Sequence, residues 1–183
     1  LTWTDGVLRP RTLAALDRAR AEGLRVIVVT GRMVQSVRRV LEPAGMDGPV
    51  VCYQGAAVIG PDGEWWLHAP IDTELARELV AAFEHEGYHP NVYVGDELYV
   101  SKVTPYAESY AAFQQIPIHA VGDVKVWLRD APTKVVCVGD PGHLDEVGVR
   151  LRARFGDRLW VTKSLPHFLE CGTLGVSKGT GMR

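Results

Sequence analysis

The sequence predicts an α/β protein with a doubly wound parallel-sheet core and a large inserted α+β module. Three observations lead there. Residues 25–29 (RVIVV) and 49–53 (PVVCY) are short, continuous apolar runs rich in β-branched residues, as in strands buried on both faces of a parallel sheet. Apolar residues at helical spacing precede and separate these runs, giving a β-α-β-α-β order with short connections. Beyond residue 70 the alternation gives way to two helix–strand–strand stretches, which suit a separately packed unit.

Taken in order, residues 1–4 are apolar and β-prone, and Asp5-Gly6 makes a turn pair. Pro10 suits a first helical turn, Leu13, Ala15, Leu16 and Ala19 form its apolar face, and Gly23 closes it. The 25–29 run follows, then a helix carrying Val34, Val37 and Leu41 that ends near Gly45, then the 49–53 run. Segments 56–59 and 64–68 flank Gly60-Pro61-Asp62-Gly63 and read as a hairpin. The inserted module is expected over residues 70–171, leaving 1–69 and 172–183 as the core. Within it we expect a helix at 72–86, strands at 91–94 and 97–100, a helix at 106–114 and a strand near 124–128. A strand at 134–138, a helix with Leu144, Val147, Leu151 and Phe155 on one face, and strands at 159–162 and 168–171 complete it. The chain opens inside a strand without Met and stops as a helix begins, so further residues are expected at both ends.

Composition narrows the function classes. A net charge of −2, with both signs mixed along the chain, argues against a nucleic-acid or anionic-membrane surface. No apolar run approaches the roughly 18–20 residues of a membrane span, and no signal peptide is visible. Cys52, Cys137 and Cys171 each sit in an apolar run, as buried free thiols of a cytoplasmic protein do.

Thr30-Gly31-Arg32 follows a buried strand and precedes a helix. At that edge of a parallel sheet, a hydroxyl, a glycine and a helix N-terminus suit an oxyanion, although Thr and Gly also populate ordinary βα turns. Gly175-Val176-Ser177-Lys178-Gly179 places Lys178 where it could neutralise a phosphate or simply be a solvated lysine at a helix start. It is no Walker loop, because the Gly-Lys-Ser/Thr order is missing. Asp5 could be a nucleophile, a metal ligand or a plain turn residue. Gln54 and Gly55 leave the third strand at the same edge, where Gln54 could meet a substrate hydroxyl or cap the turn. Gly139-Asp140-Pro141-Gly142 with Asp145 looks like an acidic metal loop but falls within the inserted module, and we read it as a decoy. His85 and His89 are expected to straddle a helix end, and Trp65-Trp66 to pack between the hairpin and the insertion.

Four stretches together resemble the haloacid-dehalogenase-like hydrolases, specifically the Cof-like branch with its large α/β cap. These are RPRTLAALDRARAEGLRVIVVTGR (9–32), VVCYQGAAVIGPDGEWW (50–66), SLPHFLECG (164–172) and GVSKGTGMR (175–183). The order of Thr30, the cap and then Lys178 is more specific than any one motif. The resemblance implies a Rossmann-like core with an inserted cap, and a Mg²⁺-dependent phosphatase forming an aspartyl-phosphate on a small, sugar-phosphate-like substrate. It further implies that Thr30 bonds the transferring phosphoryl group, that Lys178 offsets its charge and orients the nucleophile, and that Gly31, Arg32, Gln54 and Gly55 face phosphate or substrate.

Two departures stand out. The family's first motif, Asp-x-Asp-Gly-Thr, is not intact. In one alignment LTWTD (1–5) ends in the nucleophile, making Asp5 the attacking residue and a metal ligand, with a second aspartate and a loop missing. In the other, Asp5-Gly6-Val7-Leu8 matches the end of the motif and puts Trp3 at the nucleophile position, as in a silent member that only binds a phosphorylated ligand. The fourth motif, with the remaining Mg²⁺ carboxylates, is expected beyond Arg183. Gln54 also replaces the usual Asn, one methylene shorter.

Overall fold

The computed structural model describes residues 7–183. The expected strand at 1–4 and the site candidate Asp5 lie outside them. Helix α1 (Pro10–Ala21) starts at its proline and ends in a Schellman turn. There Gly23, at φ 77°, donates to the Arg20 carbonyl and Leu24 donates to that of Ala19. Leu13, Leu16 and Ala19 are half-buried, whereas Ala15, expected on the same face, is exposed.

Strands β1 (Val28–Val29), β2 (Val50–Cys52), β3 (Ala57–Ile59) and β4 (Trp65–His68) form one sheet in that spatial order. The β1–β2 pair is parallel and the other two pairs are antiparallel, so the predicted hairpin is present. Only two residues of the 25–29 run pair, and no described strand covers their other edge. Ile27 therefore stays 41% exposed rather than buried on both faces. Helix α2 (Val34–Leu41) buries Val34, Val37 and Leu41 against this sheet, and a 3₁₀ turn ending at Gly45 follows it.

The second sheet has six strands: β5 (Asn91–Val94), β6 (Glu97–Val100), β7 (His119–Ala120), β8 (Lys134–Val138), β9 (Leu159–Leu165) and β10 (Phe168–Thr173). Their spatial order is β7-β6-β5-β8-β10-β9, with β6 and β7 parallel and the rest antiparallel. Helices α3 (Thr73–His85) and α6 (Pro141–Phe155) each precede a hairpin, giving the two helix–strand–strand units expected. Both start on an aspartate whose carboxylate takes up otherwise unpaired N–H groups, Asp72 from Glu74 and Leu75, Asp140 from His143. Helix α4 (Pro105–Gln114) is capped by Thr104 in the same way. The strand expected near 124–128 is instead a short helix, α5 (Val124–Trp127). Asp123 accepts from the Lys125 and Val126 N–H groups and so nucleates a turn that the apolar alternation does not disclose.

Strand period decides what each face of the six-stranded sheet meets. Val92, Val135, Cys137, Leu169 and Cys171 point into a core packed by α3 and α6. Tyr93, Val136 and Phe168 point the other way, into a second core shared with α4, α2 and the first sheet. This second face leans over the edge where Thr30 and Gln54 lie. All four residues of β4 are exposed, and Trp66 folds back over Gly60 of its own hairpin instead of packing against the larger sheet.

Candidate active site

Because β1 and β2 are parallel, the residues that follow them emerge at one edge. Thr30 N–H donates to the Val51 carbonyl at 2.8 Å, and its own carbonyl accepts from Gln54 N–H at 3.0 Å. Tyr53 N–H donates to the Arg32 carbonyl at 3.0 Å. These three bonds lace the turn 30–32 to the turn 53–55. The Thr30 hydroxyl oxygen accepts from Arg32 N–H at 3.2 Å, so its hydrogen can be directed elsewhere.

Two glycines make the closeness possible. A Cβ on Gly31 would sit 2.4 Å from Gln54 Nε2, so only glycine lets the Gln54 side chain lie across the turn. A Cβ on Gly55, whose φ is 106°, would sit 2.0 Å from the Ser177 carbonyl oxygen. Segment 177–182 thereby presses against residues 53–55 and brings the Lys178 backbone to the same edge. Lys178 itself is solvent-exposed and precedes a single 3₁₀ turn, Thr180–Met182, rather than opening an α-helix. Thr180 closes that turn by bonding Ser177 through both backbone and hydroxyl.

The structure thus collects Thr30, Gly31, Gln54, Gly55 and the backbone of Lys178 at one strand-end edge of the parallel pair. Arg32 turns away from Thr30. Its guanidinium donates to Ser36 Oγ at 3.0 Å and lies 5.6 Å from the Phe113 ring of α4. The acidic loop of the larger sheet is structural, since Asp140 caps α6 and Asp145 pairs with Lys163 at 2.7 Å. His85 closes α3 and His89 bonds Ser101, so that pair does straddle a helix end. Among the described residues, no three His, Cys, Asp or Glu side chains gather to hold a metal ion, so these residues alone do not make a Mg²⁺ site.

Sequence reasoning missed the groups that the larger sheet brings to this edge. Asp96, at the tip of the β5–β6 hairpin, accepts from Val34 and Gln35 N–H groups at 2.9 and 2.8 Å, and from the Tyr53 hydroxyl at 2.6 Å. The N-terminus of α2 is therefore capped from 60-odd residues away, its own N-cap being the non-capping Met33. Burial raises the Asp96 pKa even though the Tyr53, Gln35 and Val34 hydrogen bonds pull it down. Burial, and then the Asp96 charge, push the Tyr53 hydroxyl well above the usual range. Lys134, at 2% exposure, donates to the Gly31 carbonyl at 3.1 Å. A sequence clue existed for the last of these. Lys134 and Glu170 are opposite charges inside two otherwise apolar strands, at positions of the same parity. Of the residues of the larger sheet and its loops, Tyr93 faces this side, Tyr99 packs on Trp127 of α5 with ring centroids 4.3 Å apart, and Lys102 is exposed.

The strand ends of this mixed α/β fold thus gather a hydroxyl, two close-approach glycines and the backbone of the Lys178 segment. A family model for haloacid dehalogenase-like hydrolases matches residues 1–183, and the chain belongs to that family. It is 33% identical over 85 residues to phosphatase YwpJ of Bacillus subtilis (strain 168), a match covering 46% of this chain and 30% of that protein. It is 28% identical over 92 residues to pyridoxal phosphate phosphatase YbhA of Escherichia coli (strain K12), covering 50% of this chain and 34% of that protein. The fold superposes on a haloacid dehalogenase-like hydrolase from Bacteroides thetaiotaomicron with a TM-score of 0.85 at 22% identity, covering 95% of this chain and 67% of that one. The chain's matches thus span about a third of the first two relatives. Membership of the haloacid dehalogenase-like hydrolases is what the match over the chain shows, and no described helix is long and apolar enough to cross a membrane.

Proposed function

We propose that the protein is a Mg²⁺-dependent, cytoplasmic phosphatase that hydrolyses a small phosphorylated metabolite of sugar-phosphate type. The observation that carries this reading is the meeting of Thr30, Gly31, Gln54 and the Lys178 segment at the C-terminal edge of the parallel strands. Residues 1–69 and 172–183 form the core in this reading, and 70–171 form the cap. The separate six-stranded sheet supports that division, although β10 runs on to Thr173 and keeps Gly172 paired with Trp160.

In this mechanism the Asp5 carboxylate attacks phosphorus as the ester P–O bond breaks, and water later cleaves the aspartyl-phosphate. Thr30 donates its hydroxyl hydrogen to the transferring phosphoryl group. Lys178 offsets the negative charge on the equatorial oxygens, which is most of what phosphoryl transfer asks of a protein. Mg²⁺ when bound would draw charge from the phosphoryl oxygens. Asp5 is the ligand proposed for it. Gln54, lying over Gly31, is placed to meet the substrate.

The test is phosphate release from a panel of phosphate monoesters, with and without Mg²⁺, by wild type, Thr30→Ala and Lys178→Ala. Each variant is expected to lose roughly a hundredfold or more in kcat, as when one preorganised oxyanion donor is removed. Turnover indifferent to both substitutions would sink the reading. Phosphate-ester binding without turnover in wild type would instead make the protein a ligand binder.

A further inference from the structure

We infer that Lys134 of the larger sheet is a positioning residue for the phosphate-facing turn, acting through the Gly31–Arg32 peptide group on the Thr30 hydroxyl. The inference rests on the reading of Thr30 as a phosphoryl contact. Lys134 lies in β8 on the face shared with Tyr93 and Val136, the face that leans over the Thr30 edge. Its ammonium donates to the Gly31 carbonyl oxygen at 3.1 Å and lies 5.2 Å from the Tyr93 ring centroid and 5.8 Å from that of Tyr53.

Glu170 of β10 is one step away on the same face. Its Oε2 lies 3.2 Å from the Lys134 nitrogen, a buried ion pair, while its other oxygen accepts from the Ser164 hydroxyl. The ammonium therefore bridges the Glu170 carboxylate, which balances its charge, and the Gly31 carbonyl. Burial works against that charge, and Tyr110 and Glu170 outweigh it, so Lys134 stays protonated. A buried ion pair is a weak source of stability, because removing two charges from water offsets much of their attraction. A pair kept at the edge of a substrate site invites a functional account.

The relay runs through one peptide unit. A charged donor on the Gly31 carbonyl polarises the amide and strengthens the Arg32 N–H as a donor. That N–H bonds the Thr30 hydroxyl oxygen at 3.2 Å. With its oxygen engaged as acceptor, the hydroxyl directs its hydrogen outward to the phosphoryl group. The larger sheet thus does more than cover this edge, since its docking completes the orientation of the turn at Thr30.

The experiment uses the full-length protein, ¹⁵N-labelled, with p-nitrophenyl phosphate as probe. Lys134→Met/Glu170→Gln removes both charges, so no carboxylate is stranded in the interior. Its Arg32 amide proton is expected to move upfield. Its kcat is expected to fall roughly ten- to a hundredfold, less than for loss of a direct donor, with KM within about twofold because the contact is made to the transition state. In a Thr30→Val background the same change should add nothing further, since both act through one hydroxyl. If the double variant fails to fold, Glu170→Gln alone should move the Arg32 resonance in the same direction by less. An unmoved Arg32 resonance, or effects of Thr30→Val and the pair that multiply independently, would overturn the inference. A shifted Arg32 resonance in a protein whose wild type releases no phosphate would leave the positioning role standing and remove the hydrolase reading instead.

Discussion

The Tyr53 hydroxyl donates a 2.6 Å hydrogen bond to Asp96, joining the turn after β2 to a hairpin tip of the other sheet. The same carboxylate caps α2, so one residue fastens the two sheets together beside the site. Asp96→Ala leaves the Val34 and Gln35 N–H groups without an acceptor and is expected to cost about 1–2 kcal/mol. Its pH behaviour has a definite sign. A pKa raised on folding contributes stability below the unfolded value and loses it as pH rises through the folded value. Wild type should therefore lose stability relative to Asp96→Asn as pH climbs from about 3.9 through the raised value. Denaturant melts of the two proteins across that window check this, and parallel profiles would refute it.

Gly55→Ala should be severe. The alanine would adopt φ 106° and drive its methyl into the Ser177 carbonyl, both backbone features that cannot step aside. We expect a loss of about 2–4 kcal/mol from strain and overpacking together. Segment 177–182 should also become the first site of limited proteolysis. A normal melting temperature with unchanged cleavage would contradict the packing described.

Gln54→Asn is expected to stabilise. Gln54 sits at φ 60°, in the left-handed region that Asn tolerates better than Gln. Relief of about 0.5–1 kcal/mol would raise Tm by roughly 1–4 °C for a chain of this size. A fall in Tm would mean that the contact of the longer side chain over Gly31 outweighs its backbone strain.

The cysteines should be inert in the native state. Burial, reinforced by Asp96 and partly opposed by Arg38, pushes the Cys52 thiol up to about 12. Burial likewise drives Cys137 and Cys171 upward, reinforced at Cys171 by the Glu170 carboxylate. Thiolate is then scarce at neutral pH. Iodoacetamide should label no cysteine in folded protein and all three in guanidinium, with alkylation followed by intact mass.

Much of this molecule was legible in the order of its residues. Strands β5 and β6 fall at the predicted positions, because alternation bounded by the Gly95-Asp96 turn leaves little choice. Helix α6 buries Leu144, Val147, Leu151 and Phe155, as its spacing requires. Thr30, Gly31 and Gln54 were recognisable because glycines and a hydroxyl after apolar runs are local features. Residues 124–128 were misread, because a four-residue helix has too little periodicity to outweigh an apolar run and depends instead on the cap from Asp123. The 25–29 run looked fully buried because burial of a strand depends on neighbours that its own residues do not encode.

Periodicity, punctuation and local turn chemistry set out the elements, the fold class and the residues at the strand-end edge. They act over a few positions, where steric preference and solvation of adjacent side chains decide. Which distant groups complete that edge was settled only in three dimensions. Asp96 reaches α2, and Lys134 reaches Gly31 across 103 positions of sequence. Such contacts leave no periodic trace, because each depends on sheet order, strand parity and the docking of one buried face on another.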